Sequence, residues 1–378
     1  MADSKPQQPR SRIPLGFVGA CALIFLVESA IAGHAVDFMS SLQCEFQFAR
    51  TMSDQKVNRS RILAFGDSQL KLGLASPVLE EATGRPAWNF AIAAGQAPAS
   101  YFLLRRALET NAQPRAILVN FFPRLMAEEA RFNIDHWPEI IDGAECVELA
   151  IAARDPGLMG RLLIRSILPS VRYSQPIRSR IRGSLAGTPD GGPELNRVAR
   201  RSWLANGGMG LALSPGSDVD LVAWRDRYFR KRPIAVVNLD YMDRFFALAE
   251  ARGIPVFWLI PPRVPALEAL CQASGFEADQ EAFMRAVLAR HPGVRVIDGQ
   301  GCLYDRDVFM DPHHLTTQGA TTFTAEVGVA VRRVLDDPVA TPRWIKLPKY
   351  RHWLTSARIE LFEQSRSIAL GSDSKSRR

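Results

Sequence analysis

Five largely apolar runs constrain this chain more than any other feature. They are RILAFG at 61–66, AWNFAI at 87–92, RAILVNFF at 115–122, IPVFWLIPP at 254–262 and VRVIDG at 294–299. Apolar runs without polar alternation are the pattern of strands buried on both faces. Between them lie stretches of helical character at 69–83, 97–112, 239–252, 276–291 and 316–335. Parallel neighbours in a sheet need such crossover helices. The pattern predicts a three-layer α/β domain with a parallel sheet covered by helices on both sides.

The rhythm breaks between about 125 and 237. That stretch is rich in Arg, Gly and Pro, with TPDGGPE at 188–194 and NGGMG at 206–210, and no strong periodicity runs through it. It reads as an insertion after the third strand, part helix and part loop, of the kind that often forms a lid or binding loop. Residues 36–60 read as a helical connector, 61–341 as the α/β domain with its insertion, and 342–378 as a basic tail. The tail begins PRWIKLPKYRHW and has two readings, a segment on a membrane surface or a packed final helix.

The N-terminus sets the compartment. Residues 1–12 carry Lys5, Arg10 and Arg12, and residues 13–35 are apolar apart from Glu28, Ser29 and His34. Basic residues ahead of an apolar run keep the N-terminus cytoplasmic. About 20 apolar residues span a bilayer, which favours an uncleaved anchor. Ala30-Ile31-Ala32 also fits a cleavage site, which leaves a secretory signal open. If the segment is an anchor, Glu28 lies inside the span, where a carboxylate is costly and marks a contact with a partner. Either reading exports the rest of the chain.

The net charge of +8 is concentrated in 161–232 and after 341. The sequence shows no nucleic-acid-binding motif and no aromatic-basic interleaving of the RNA-binding type, so nucleic acid is not an expected partner. Cys21, Cys44, Cys146, Cys271 and Cys302 show no C-x-x-C spacing, which argues against a zinc or redox centre. Cys271 and Cys302 are either a disulfide in an oxidising compartment or two buried thiols.

Chemistry is suggested at two places. Gly66-Asp67-Ser68 follows the first strand, on the turn where an open α/β sheet presents functional groups. Far downstream, MDPHHLTT places Asp311 and His314 three residues apart, just before the last long helix. A serine nucleophile needs a base for its proton and a carboxylate to orient that base. Ser68, His314 and Asp311 supply the three roles. His313 reads as an ordinary loop residue, and a metal at the paired histidines lacks a third ligand in a matching pattern. The chemistry so read calls for no cofactor and no metal.

These blocks resemble the SGNH (GDSL-like) hydrolase superfamily. Gly66-Asp67-Ser68 matches its first block and Asp311 with His314 its last, while NFAIAAGQAPAS at 89–100 looks like its second, with Gly95 in the oxyanion role. The resemblance covers 61–122 and 254–335 and implies a flavodoxin-like fold. The family's third block, G-x-N-D, is missing; the strand ends in VNFFPRL at 119–125. Arg124 falls near the asparagine position and Asn120 falls earlier, within the strand. Both join Gly95 as candidate oxyanion or substrate-binding residues.

An exported domain of this type resembles esterases and O-acetyltransferases of cell-envelope polysaccharides. That likeness implies an acetylated or acidic polysaccharide as substrate and a multipass membrane acyltransferase as donor partner. Two other classes remain open, a glycan-binding scaffold on the same frame and a lipid esterase.

Overall fold

The computed structural model describes residues 15–55, 59–188, 191–210, 219–339, 341–361 and 363–369. The basic flank at Lys5, Arg10 and Arg12 and the end of the tail lie outside these residues.

Six parallel strands form the central sheet: β1 (Ile62–Phe65), β2 (Ala87–Asn89), β3 (Ala116–Val119), β4 (Val256–Ile260), β5 (Val294–Asp298) and, after a separate ribbon, β8 (Trp344–Lys346). Their order is β2-β1-β3-β4-β5-β8. The register pairs Ile62 with Ala87 on one side and with Ala116 on the other, and Ile117 with Val256. The order reverses at β1, so a crevice opens between the C-terminal ends of β1 and β3, the place where doubly wound sheets bind ligands.

Alternate strand residues feed two separate cores. Leu63, Phe65, Ile117, Val119, Val256 and Trp258 pack on one face. Ile62, Ala64, Ala116, Leu118, Phe257 and Leu259 pack on the other. Helices Ala97–Glu109 and Val236–Glu250 cover the first face; helices Ser76–Thr83 and Thr317–Asp336 cover the second. Burial on both faces explains why the strands read as continuous apolar runs.

Four features differ from the sequence reading. The helix expected over 69–83 is two helices, Ser68–Gly73 and Ser76–Thr83, divided at Leu74, whose backbone is extended. The connector contributes to the core, because helix Ser41–Gln55 buries Cys44, Phe46, Phe48 and Met52. The stretch 125–237 is mainly helical, including Gly143–Ala152, Pro156–Ile167, Ser174–Leu185, Gly192–Ala205 and Leu221–Tyr228. Three of these five start at aspartate caps: Asp142 forms a capping box with Glu145, Asp155 accepts from Leu158 N, and Asp220 accepts from Val222 N and Ala223 N. The Gly and Pro content masked these starts; Pro at the first helical turn is compatible with a helix. Finally, the tail supplies β8, paired through Val296 with Trp344, where a surface segment or a final helix was expected.

Among the described residues one helix, Leu15–Gly33, is long and apolar enough to cross a membrane; its mean hydropathy over Gly16–Gly33 is 1.9 and it is unburied. All five cysteines are free thiols, Cys271 and Cys302 included.

Candidate active site

Gly66 turns the chain out of β1 at φ 145°, and a Cβ there would lie 2.8 Å from the carbonyl oxygen of Asn120. Only glycine lets the turn press so closely on the end of β3. Asp67 then caps the next helix, its Oδ1 accepting from Gln69 N at 2.7 Å. Ser68 therefore opens helix Ser68–Gly73, partly exposed above the sheet.

The other half of the site is a two-stranded antiparallel ribbon, β6 (Phe309–Asp311) and β7 (His314–Leu315), in which Asp311 pairs with His314. Asp311 Oδ1 accepts the backbone N–H groups of His313 (2.9 Å) and His314 (3.0 Å), so the turn fixes its own carboxylate. Asp311 Oδ2 lies 2.6 Å from His314 Nδ1, and His314 Nε2 lies 2.8 Å from Ser68 Oγ. An ionised carboxylate only accepts, so Nδ1 carries the proton and Nε2 presents a lone pair to the serine hydroxyl. Burial opposes ionisation of Asp311, yet the hydrogen bond from the His314 ring, with those from the backbone N–H groups of the turn, holds its carboxyl well below the usual range. Serine, base and carboxylate stand in one unbroken relay, and the serine and imidazole are partly exposed.

His313 has another function than a plain loop residue. It is buried against Phe122, Tyr228 and Phe229, and Trp224 Nε1 donates to its Nδ1 at 3.0 Å. That nitrogen therefore bears a lone pair, and its 3.3 Å approach to Asp311 Oδ1 is a proximity between two acceptors, not a hydrogen bond. Burial, reinforced by the charge of His314, pushes the His313 ring down to about 4. Asp311, His313 and His314 do bring three ligating atoms within 4.8 Å of one another. The facing nitrogens of both rings are already matched, one to Trp224 and one to Asp311, which fits the relay better than a metal centre.

The glycine loop packs directly on the nucleophile turn. A Cβ on Gly95 would sit 2.5 Å from the Gly66 carbonyl oxygen, so no larger residue fits. Ala94, just before it, takes φ 57°, which the surrounding bonds must hold in place. Asn133 Nδ2 donates to Ala94 O (2.9 Å), Gln96 Nε2 to Glu128 O (2.7 Å), and Ala93 N to Glu45 Oε1 (2.6 Å). The Gly95 N–H itself donates to Ile92 O at 3.0 Å, inside its own turn. Gly95 thus packs on the turn that carries Ser68, with its N–H engaged inside its own turn.

The two polar candidates of the third block stand elsewhere. β3 ends at Val119, so Asn120 lies just past the strand. Its Nδ2 donates to Gln69 Oε1 (3.0 Å) and Asp67 Oδ2 (3.4 Å). Gln69 Nε2 reaches on to His313 O at 3.3 Å. Asp67, Gln69 and Asn120 form a buried lattice that joins the β1 turn, the β3 end and the histidine loop. Arg124 turns away: its guanidinium donates to Arg227 O (3.0 Å), lies 3.5 Å from Glu128 and stacks over Tyr228. The sequence reading missed Gln69, Glu45 and Trp224. A polar residue directly after the serine was a usable signal for Gln69; nothing local marks the other two.

Asp67 is fully buried, and burial pushes its carboxyl up to about 7 against the hydrogen bond from Gln69. A cavity of about 250 Å³ between Phe121, Met126, Trp258 and Phe283 contains no residue of the relay.

Compared with known proteins, the chain matches no family model and no curated protein.

Proposed function

We propose that the protein is a serine-dependent acyl transferase or esterase of the SGNH type, held at a membrane by Leu15–Gly33. The observation that carries this reading is the relay Ser68 Oγ–His314 Nε2–Asp311 Oδ2, with distances of 2.8 and 2.6 Å. The strand order, with Ser68 at the switch point and Gly95 packed on its turn, is what a flavodoxin-like SGNH domain requires.

In this mechanism His314 Nε2 takes the Ser68 proton as Oγ attacks an ester carbonyl, and Asp311 stabilises the imidazolium. The tetrahedral oxyanion forms near the N–H groups of Ser68 and Gly95. Its collapse expels the alcohol, protonated by His314, and leaves an acyl-Ser68. Water or a sugar hydroxyl, deprotonated by the same His314, then takes the acyl group. Gly95 N–H meets the oxyanion by giving up its bond to Ile92 O, whereas Asn120 and Arg124, held by the Gln69 lattice and by Arg227 O, are assigned no catalytic contact. An acetylated or acidic cell-envelope polysaccharide suits the exported position and the arginine-rich insertion, and a multipass membrane acyltransferase suits the donor side.

The test is p-nitrophenyl acetate turnover by the full chain in detergent, beside Ser68→Ala, with fluorophosphonate labelling of both. Turnover and labelling confined to the parent protein are expected. Equal turnover in the two proteins, or labelling that ignores Ser68, would sink the assignment.

A further inference from the structure

The spanning helix is joined to the insertion at one point. Ser170 N donates to Glu28 Oε2 at 2.8 Å and Ser170 Oγ donates to Glu28 Oε1. Glu28 precedes the end of the helix by five residues, which at 1.5 Å per residue is about 8 Å. If Leu15–Gly33 spans a bilayer, the short helix Pro169–Arg172 lies at the boundary between headgroups and acyl chains. The same bonds answer how a carboxylate is tolerated there, since Ser170 satisfies both of its oxygens.

The helices on either side of Pro169–Arg172 adjoin it in the chain and pack against it, and both leave apolar side chains uncovered. On Pro156–Ile167, Leu158 and Leu162 face inward, while Ile164 and Ile167 are exposed, Ile167 at 71%. On Ser174–Leu185, one stripe at i, i+3, i+4 and i+7 reads Arg178, Ile181, Arg182 and Leu185, all exposed, Leu185 at 84%. Residues 156–185 contain six arginines and no acidic residue; Arg165 and Arg172 pair with Asp135 and Glu139, while Arg161, Arg178 and Arg182 are exposed. Exposed Ile and Leu interleaved with arginine suit a surface that buries its apolar groups in acyl chains while its cations meet lipid phosphates.

We infer that helices Pro156–Ile167 and Ser174–Leu185 form an in-plane collar that dips into an anionic bilayer beside the anchor. This inference rests on the spanning reading of Leu15–Gly33 and is independent of the chemistry at Ser68. The collar gives the domain a second attachment, so a single flexible anchor no longer sets its orientation. Glu28 and Ser170 fix its depth.

The experiment uses the full chain in nanodiscs of phosphatidylcholine and phosphatidylglycerol containing a shallow doxyl-labelled lipid. Single cysteines at Ile167, Leu185 and, as a control outside this face, Val339 are introduced in a Cys21→Ser background and labelled with an environment-sensitive fluorophore. The other four native cysteines are buried and do not compete for label. The parent protein labelled at Cys21 reports the anchor. At least twofold quenching is expected at Cys21, 167 and 185, with none at 339 and with weaker quenching at 185 when phosphatidylglycerol is omitted. Quenching at Cys21 alone would overturn the collar, leave the anchor standing and assign the face to a protein partner. Quenching at 167 and 185 without Cys21 would remove the span on which the inference rests and overturn the depth set by Glu28 and Ser170. No quenching at any site would overturn both.

Discussion

Helix Ser68–Gly73 carries two charged constellations one turn apart, and they are built on opposite terms. At its start, Ser68 meets His314 and Asp311 in a partly exposed relay closed by bonds of 2.8 and 2.6 Å. Three residues on, Lys71 lies 3.8 Å from Glu45, both nearly inaccessible, with its ammonium 4.5 Å from the centre of the Trp203 ring. Burial pushes Glu45 up and Lys71 down, against their mutual attraction. The first group can reach a substrate and the second cannot. The second instead links helix Ser41–Gln55 to the glycine loop, through Glu45 and Ala93 N. One constellation has the arrangement that the proposed reaction needs; the other ties helix Ser41–Gln55 to the glycine loop.

The sharpest way to break the contrast is to remove one member from each. Ser68→Ala should lower ester turnover by about 10⁴-fold or more while leaving the thermal midpoint nearly unchanged. Asp311→Asn should cost roughly 10⁴-fold, since the imidazole loses its orienting acceptor. A variant of either residue that keeps its activity would end the relay reading.

The sealed pair should behave in the opposite sense. Lys71→Met alone should destabilise the fold by about 3–5 kcal/mol, because it leaves Glu45 buried and unmatched. Adding Glu45→Gln should recover part of that loss in denaturant titrations. If Lys71→Met is as stable as the parent, the pair does not hold the loop.

Asp67 sharpens the comparison through pH. Its carboxyl is raised to about 7 by burial, so the folded state holds a proton that the unfolded chain has released. Stability from this group is therefore complete below the unfolded value and falls as pH rises through 7. Asp67→Asn should remove that fall, a relative gain on the order of 4 kcal/mol between pH 4 and 8 by the usual conversion. Parallel stability curves for the two proteins over that range would contradict it.

Smaller effects test the supports. Gly95→Ala should cost about 1–3 kcal/mol, since its Cβ must displace the Gly66 carbonyl, and activity should fall with it. Trp224→Phe removes one hydrogen bond to His313 and should cost about 1 kcal/mol in thermal unfolding, with turnover reduced only modestly. A Trp224→Phe protein inactive at full stability would give Trp224 a role beyond positioning.

These constellations also differ in how far sequence alone could reach them. Ser68, Asp311 and His314 were readable because each sits in a short motif at the end of an element whose apolar pattern is plain. The first five strands were readable for the same reason, as apolar runs that need no partner to be recognised. β8 was not readable, because three residues of a basic segment become a strand only when β5 offers its edge. Helices in 143–228 were hidden by Gly, Pro and Arg, though their Asp caps were present in the sequence. Asn120 and Arg124 looked equivalent as donors; only the fold turns one into the Gln69 lattice and the other onto Tyr228.

Local pattern, then, was enough for what depends on local pattern: the apolar strands, the helical crossovers, the apolar N-terminal helix and the three residues of the relay. Tertiary structure alone decided what depends on distance in space between residues far apart in the chain. Glu45 finds Lys71 and Ala93, Trp224 finds His313, and Ser170 finds Glu28. Each of these meetings satisfies a polar group that is buried or set in the apolar N-terminal helix, and the requirement to satisfy it appears only once packing has removed water.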